Sequence, residues 1–147
     1  MKKFQFQLEA ALSWRRQKEQ TERIRLDELN ARRQSVLQQR EQAERDREAS
    51  RRQTLALPSI SALDLESLDN YSHAVESRKR KLEAEVAELD EAARKQQLAL
   101  IEASRQTKLL EKLKDRQHSA WQAEYDKQLE ADATESFLGQ WGQNRGL

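Results

Sequence analysis

The 147-residue chain has the length of one domain, but its composition is dominated by charged residues and good helix formers. Charged side chains make up 36% of the residues, aromatic side chains make up 5%, and the mean hydropathy is -1.07. This composition is typical of coiled coils, which bury a narrow stripe and exclude a thick apolar core. No run approaches the roughly 18 consecutive apolar residues of a membrane span, and the absence of cysteine excludes disulfides and thiolate metal sites.

Helix-breaking residues are confined to two short stretches. Pro58 lies in TLALPSISALD, and the three glycines all fall in the last nine residues. Few breakers and apolar residues in threes and fours predict long helices. The predicted fold class is therefore all-α: a long antiparallel two-helix coiled-coil hairpin with helix two overhanging helix one. We expect one domain over 1–147, divided into helix one (about 4–54), a turn (about 55–62), helix two (about 63–137) and a frayed tail (138–147).

Each predicted helix carries a heptad seam. In helix one the apolar seam residues are Leu8, Leu12, Leu26, Leu29, Val36 and Ala43. The same register includes Arg15, Glu19, Glu22, Arg33, Arg40 and Arg47, so helix one should be marginal alone. In helix two the register is Leu68, Ser72, Val75, Lys79, Leu82, Val86, Leu89, Ala93, Gln96, Leu100, Ala103, Thr107, Leu110, Lys114, Gln117 and Trp121. It runs for more than seven heptads, with Ser61 or Asp64 as the N-cap.

The predicted helices differ in length and in charge. If Pro58 marks the turn, Phe4 lies opposite roughly residue 112, and helix two continues alone for ~25 residues or ~37 Å. Residues 1–57 hold 14 Lys/Arg and 9 Asp/Glu, whereas residues 58–147 hold 13 and 17. The opposite net charges favour pairing of the two helices, but only weakly, because exposed ion pairs contribute ~0–1 kcal/mol each.

The sequence offers few groups for catalysis or for cofactor binding. Glycine occurs only at 139, 142 and 146, so no phosphate-binding glycine loop exists. His73 and His118 lie far apart and are expected to be solvated, without the convergent ligands that zinc needs. We therefore expect no enzyme activity, no cofactor and no metal. The basic clusters at 45–52 and 78–81 are interrupted by acids, which disfavours nucleic-acid binding and leaves an acidic protein surface or anionic lipid head groups as their target.

Seven of the eight aromatic residues fall into two groups, at the start of helix one and at the end of helix two, and Tyr71 lies apart from both. In an antiparallel hairpin both groups share one end. Two interpretations remain open: an aromatic plug that joins the termini, or a contact surface for a partner, since Trp and Tyr supply much of the energy at interfaces. The residues are Phe4, Phe6, Trp14, Trp121, Tyr125, Phe137 and Trp141.

Three segments resemble the flagellar export protein FliJ family. They are the opening Phe4-x-Phe6-x-Leu8-Glu9-x-x-Leu12, the stretch SALDLESLDNY (61–71), and KLLEKLKDRQHSAWQAEYDKQLEADATE (108–135). The resemblance covers most of the chain. It implies a soluble, non-enzymatic stalk of the bacterial flagellar type III export apparatus, similar to the coiled coil of the ATP synthase gamma subunit.

The resemblance also implies partners and a location. The partners would be the hexameric export ATPase (FliI), the export gate membrane protein (FlhA) and export chaperones, with no nucleic acid. We expect a monomeric hairpin, and the sequence leaves open the alternative of two extended chains paired as a dimer. The protein would be cytoplasmic and peripherally associated with the inner-membrane export apparatus through those partners. The tip of residues 4–16 and 110–137 would face the ATPase through Phe4, Phe6, Leu8, Leu12, Trp14, Leu110, Leu113, Trp121 and Tyr125. The gate would contact Val36, Leu37, Arg40, Tyr71, Val75 and Leu82.

Three alternatives remain open at this point. The first is the equivalent stalk of a virulence type III secretion system. The second is a generic coiled-coil scaffold, in which the aromatic residues have no partner. The third is a dimeric nucleic-acid binder of the bZIP kind, suggested by the basic run at 78–81 before a leucine-bearing heptad run.

Overall fold

The computed structural model describes residues 2–146, which contain two α-helices and no strand. Helix α1 spans Glu9–Leu55 and helix α2 spans Ala62–Arg145. The residues form two compact units. We call Gln20–Ile101 the turn unit, and the unit whose described residues are 2–19 and 102–146 the terminal unit. The prediction of an all-helical chain with two helices is confirmed. No described helix combines the length and the apolar character that crossing a bilayer requires.

Helix α1 begins later than the sequence predicted, at Glu9 rather than at about Phe4. The first backbone hydrogen bond of the region is donated by the Glu9 N–H to the Phe6 carbonyl, over 3.1 Å. Residues 2–6 have no regular structure, while the Phe6 side chain is buried. Burial of an aromatic ring outweighs the small propensity that would favour one more helical turn here.

The turn between the helices covers residues 56–61, and a reciprocal cap closes it. The Ser61 hydroxyl accepts a hydrogen bond from the Asp64 N–H over 3.1 Å, and the Asp64 carboxylate accepts one from the Ser61 N–H over 2.9 Å. This pair is a capping box, with aspartate in the place that glutamate usually takes. Of the two predicted N-cap candidates, Ser61 is therefore the cap, and Asp64 is its partner in the first turn.

Helix α2 extends to Arg145, beyond the predicted end near Phe137. It passes through Gly139 and Gly142, neither of which has a positive φ. A glycine inside a helix costs only ~1 kcal/mol relative to alanine. No proline follows Pro58 to end the helix, so the two glycines weaken this segment without breaking it.

The buried side chains follow the predicted seams. In the turn unit Val36, Leu82 and Leu89 form the core, and Leu29 and Val86 pack against them. In the terminal unit Leu12 is completely buried. Buried and half-buried positions alternate by three and four residues along α1 from Leu12 to Thr54 and along α2 from Leu68 to Lys114. Two predicted seam residues, Leu8 and Gln117, are exposed instead.

Ion pairs join α1 to α2 in the turn unit. Arg33 pairs with Asp90 over 2.5 Å, Arg40 with Glu83 over 2.9 Å and Arg47 with Glu76 over 3.2 Å. Through these three contacts residue numbers rise along α1 as they fall along α2. Each pair is partly exposed and is weakened by solvent screening, so the apolar seam provides most of the stability.

Candidate functional site

Four rings gather in the terminal unit, and we call them the terminal aromatic cluster: Phe4, His118, Trp121 and Tyr125. The last three lie three and four residues apart on α2 and therefore share one helix face. The Phe4 ring meets His118 edge-on at a centroid distance of 4.9 Å and lies 6.0 Å from Trp121. Trp121 stacks on Tyr125 at 5.2 Å. The cluster thus joins the segment before α1 to helix α2.

Polar contacts hold the same segment in place. The indole Nε1–H of Trp121 donates a hydrogen bond to the Lys2 carbonyl over 3.1 Å. Further along, Lys114 forms an ion pair with Glu9 over 2.8 Å. A directed hydrogen bond from a half-buried indole fixes the orientation of the ring, because the amphipathic tryptophan has one polar atom to satisfy.

The predicted tip residues divide by accessibility. Phe6 and Leu12 are buried and can support the surface but cannot form it. Phe4, Leu110, Leu113, Trp121 and Tyr125 are half-buried, and Leu8 and Trp14 are exposed. The guanidinium of Arg15 lies 4.9 Å from the centre of the Trp14 ring. The accessible apolar surface here is therefore made mainly by Leu8, Trp14 and the outer edges of the cluster.

One member of the cluster, His118, was expected to be a solvated helix residue. Its side chain is largely exposed, but its ring contacts both Phe4 and Trp121. The expectation that Phe4 lies opposite residue 112 was wrong, because the Phe4 ring contacts His118. Residues 2–6 are not helical, and a non-helical chain advances up to about 3.3 Å per residue instead of 1.5 Å. In the sequence, the spacing of His118, Trp121 and Tyr125 by three and four residues was the signal that these side chains share one helix face.

The residues predicted to face the export gate do not form one surface. Val36, Val75 and Leu82 are buried, and two of them belong to the core of the turn unit. Arg40 is half-buried and forms an ion pair with Glu83. Tyr71 is exposed and Leu37 is half-buried, so only Leu37, Arg40 and Tyr71 remain accessible to a partner.

A polar layer interrupts the seam of the turn unit at Glu22 and Gln96. Glu22 is buried, and the Gln96 side-chain amide donates hydrogen bonds to both its carboxylate and its backbone carbonyl, the latter over 3.0 Å. Arg25 adds an ion pair to the same carboxylate over 3.1 Å. Polar pairs at seam positions commonly fix the register of helix pairing at a cost in stability.

A charged cluster lies nearer the turn. The Glu44 carboxylate contacts Lys79 over 3.1 Å and also pairs with Arg47. Hydrogen bonds from Lys79 and then Arg47 hold the pKa of Glu44 below its ordinary value, and the bond to Glu44 raises the pKa of Arg47. These hydrogen bonds stabilise the charged forms of Glu44 and Arg47, which also pair with side chains of α2. The role of this charged cluster is therefore structural.

The basic run at 78–81 is split by the fold. Lys79 faces Glu44 within the turn unit, whereas Arg78, Arg80 and Lys81 are exposed. The three exposed cations have no ion pair with any residue that the structure describes. They offer an anchoring point for an acidic partner but do not form the sustained stripe that phosphate backbones need.

The comparisons with known proteins found no relative of this chain. No protein-family model, curated protein or solved structure matches the chain. Within residues 2–146 no group of three or more His, Cys, Asp or Glu side chains could hold a metal ion.

Proposed function

We propose that the chain is a non-enzymatic stalk and adaptor of the bacterial flagellar type III export apparatus, as its resemblance to the FliJ family implies. In this proposal the two helices form an antiparallel coiled-coil hairpin that engages the export ATPase hexamer, contacts the export gate and assists export chaperones. The protein works in the cytoplasm and reaches the inner membrane through these partners.

The observation that carries the proposal is the terminal aromatic cluster. The Phe4-x-Phe6 segment is the most specific part of the resemblance. In the terminal unit it packs on α2 through Phe4, His118 and Trp121 instead of continuing α1. Such packing supports a preorganised contact surface, because aromatic rings that hydrogen bonding and stacking already hold lose little conformational entropy when a partner binds.

The helix seams support the coiled-coil part of the proposal. Buried positions alternate by three and four in both helices, which is the spacing of a left-handed coiled coil. Within each unit, a contact further along α1 is made to a residue further back along α2. In the terminal unit, for example, Glu9 pairs with Lys114, whereas Arg16 pairs with Glu111.

The test is ATP hydrolysis by the cognate, assembly-competent export ATPase at increasing concentrations of this protein. A Leu8→Ala/Trp14→Ala variant removes exposed apolar side chains of the terminal unit, and Leu98→Ala/Ile101→Ala removes exposed ones of the turn unit. We expect stimulation by the wild type and by the turn-unit variant, and its loss in the terminal-unit variant. Absence of stimulation by the wild type contradicts the proposal and leaves a coiled-coil scaffold as the better account.

A further inference from the structure

A second face of α2 in the terminal unit carries its own heptad pattern. Its residues alternate by four and three along the helix, and we call them the second stripe: Leu109, Leu113, Arg116, Ala120, Ala123, Lys127, Glu130, Thr134, Phe137 and Trp141. Leu113 is half-buried and the other nine are exposed. Positions spaced by three and four residues share one helix face, and this face is distinct from the one that packs on α1.

The second stripe has large apolar residues at both ends. Leu109 and Leu113 stand at one end, and Phe137 and Trp141 stand at the other. Arg116 and the small residues Ala120 and Ala123 fill one half of the interval, and Lys127, Glu130 and Thr134 fill the other half. A surface with this arrangement is self-complementary when the helix is turned end over end, which is the requirement for a twofold interface.

We propose that the second stripe is a self-association surface whose occupant is the second stripe of another copy of this chain. The two α2 segments run antiparallel, with Leu109 opposite Trp141 and Leu113 opposite Phe137. In this register Ala120 lies opposite Glu130 and Ala123 opposite Lys127, so that small residues make room for long ones.

Charge identifies a second copy as the occupant. In this register Arg116 of one copy lies one helical turn from Glu130 of the other, and Lys127 of one copy lies beside Glu124 of the other. The twofold symmetry forms each of these two contacts twice. None of these four side chains has an ion pair with another residue that the structure describes. Parallel pairing would instead place like charges together at positions 116, 127 and 130. The antiparallel register brings one like pair within a helical turn, Lys127 with Lys127 of the other copy, against four opposite pairs, so the charges favour the antiparallel arrangement.

The length of the second stripe suits a specific interface. It runs from Leu109 to Trp141, which is 32 helical steps or about 48 Å of helix. Four aromatic side chains in the pair bury on the order of 600 Å², and the leucines and alanines raise the area toward the ~1,200–2,000 Å² of standard specific interfaces. The proposal does not depend on the export function. If both hold, self-association competes with ATPase binding, because Leu113 belongs to both surfaces.

The first experiment is sedimentation equilibrium of the full chain over a range of concentrations. We expect a concentration-dependent dimer, and a dissociation constant raised at least ~10-fold by Phe137→Ala/Trp141→Ala. Leu98→Ala, which removes an exposed leucine from the turn unit, should leave dimerisation unchanged. A monomer at every concentration, or equal dimerisation by the Phe137→Ala/Trp141→Ala variant, overturns the proposal.

A charge swap tests the partner and the register together. Arg116→Glu and Glu130→Arg should each weaken dimerisation at least ~10-fold, because each places like charges at two symmetric contacts. Mixing the two variants should restore a heterodimer, since each then supplies the charge that the other needs. Failure of the mixture to associate when each variant remains helical rejects the pairing.

Orientation is measured with a spin label at Lys112→Cys, since the chain has no natural cysteine. The proposed register separates the two labels by about 39 Å along the helix axes. A short separation shows a parallel pair and rejects the antiparallel interface.

Discussion

At the residue scale the Ser61–Asp64 capping box shows how two short side chains start an 84-residue helix. The two side chains satisfy backbone N–H groups that have no partner inside the helix. The hydrogen bonds from the Ser61 backbone and hydroxyl lower the pKa of Asp64 below its ordinary value of 3.8. A sequence can therefore name the cap candidates, but only the backbone geometry decides which one caps.

The lowered pKa of Asp64 predicts a pH dependence of stability. Its contribution is fully present above the ordinary value of 3.8 and is lost as pH falls through the lower folded-state pKa. Thermal unfolding followed by circular dichroism should show a smaller loss of stability in acid for Asp64→Asn than for the wild type. Exposed Asp69→Asn is the matched control. An identical acid dependence in Asp64→Asn and wild type contradicts the coupling.

Leu82 provides a second test at this scale, because it is 7% exposed and lies in the core of the turn unit. We expect Leu82→Ala to lower the free energy of unfolding by about 2–3 kcal/mol through lost burial and a residual cavity. Leu98→Ala, whose leucine is 56% exposed, should change it by no more than ~0.5 kcal/mol. Urea unfolding measures both, and similar losses in the two variants would mean that the assigned seam is wrong.

At the scale of the elements the heptad pattern predicted most of what packs. Alternating spacings identified the buried positions of both helices because burial on a helix follows its period. The pattern failed at Leu8 and Gln117, both in the terminal unit. There Phe4 and Phe6, from the segment before α1, provide the packing, and a helical period cannot describe residues outside a helix.

The Glu22–Gln96 layer predicts a trade between stability and register. Gln96→Leu removes the amide donor from a buried carboxylate and should destabilise the chain by about 1–3 kcal/mol. Replacing both residues with leucine should restore or raise stability, because it removes the cost of burying a charge. Urea unfolding measures the first effect. Disulfide formation between cysteine pairs placed across the seam measures whether the double variant populates more than one register. A single register in the double variant would argue against a role of Glu22 and Gln96 in fixing the register.

At the scale of the whole molecule the predicted function rests on sequence resemblance and on the terminal aromatic cluster. The fold class followed from composition and spacing, because a chain rich in Ala, Glu, Lys, Leu and Arg with apolar residues in threes and fours is typical of long helices. The gate-facing surface could not be predicted in the same way. The heptad pattern places Val36, Val75 and Leu82 in the seams whereas the resemblance places them on a binding surface, and the packing of α1 on α2 shows that they are core.

Removing residues 126–147 tests how stability is distributed along the chain. Every described residue after Tyr125 is exposed, so this segment of α2 adds little burial. At concentrations where the chain is monomeric, we expect the truncated protein to melt within about 4 °C of the full chain. A much larger fall in the melting midpoint, measured by circular dichroism, would mean that the segment packs against the remainder.

The three tryptophans occupy two kinds of environment, which gives the protein a set of natural optical reporters. Trp121 stacks on Tyr125 and donates its indole N–H to the Lys2 carbonyl, whereas Trp14 and Trp141 are exposed beneath Arg15 and Arg145. A variant that keeps only Trp121 will therefore differ in its fluorescence maximum and in its quenching by iodide from variants that keep only Trp14 or only Trp141. The fluorescence of Trp121 will report the release of residues 2–6 from α2. The fluorescence of Trp14 will report the binding of the proposed partner, and that of Trp141 will report the proposed pairing of two chains.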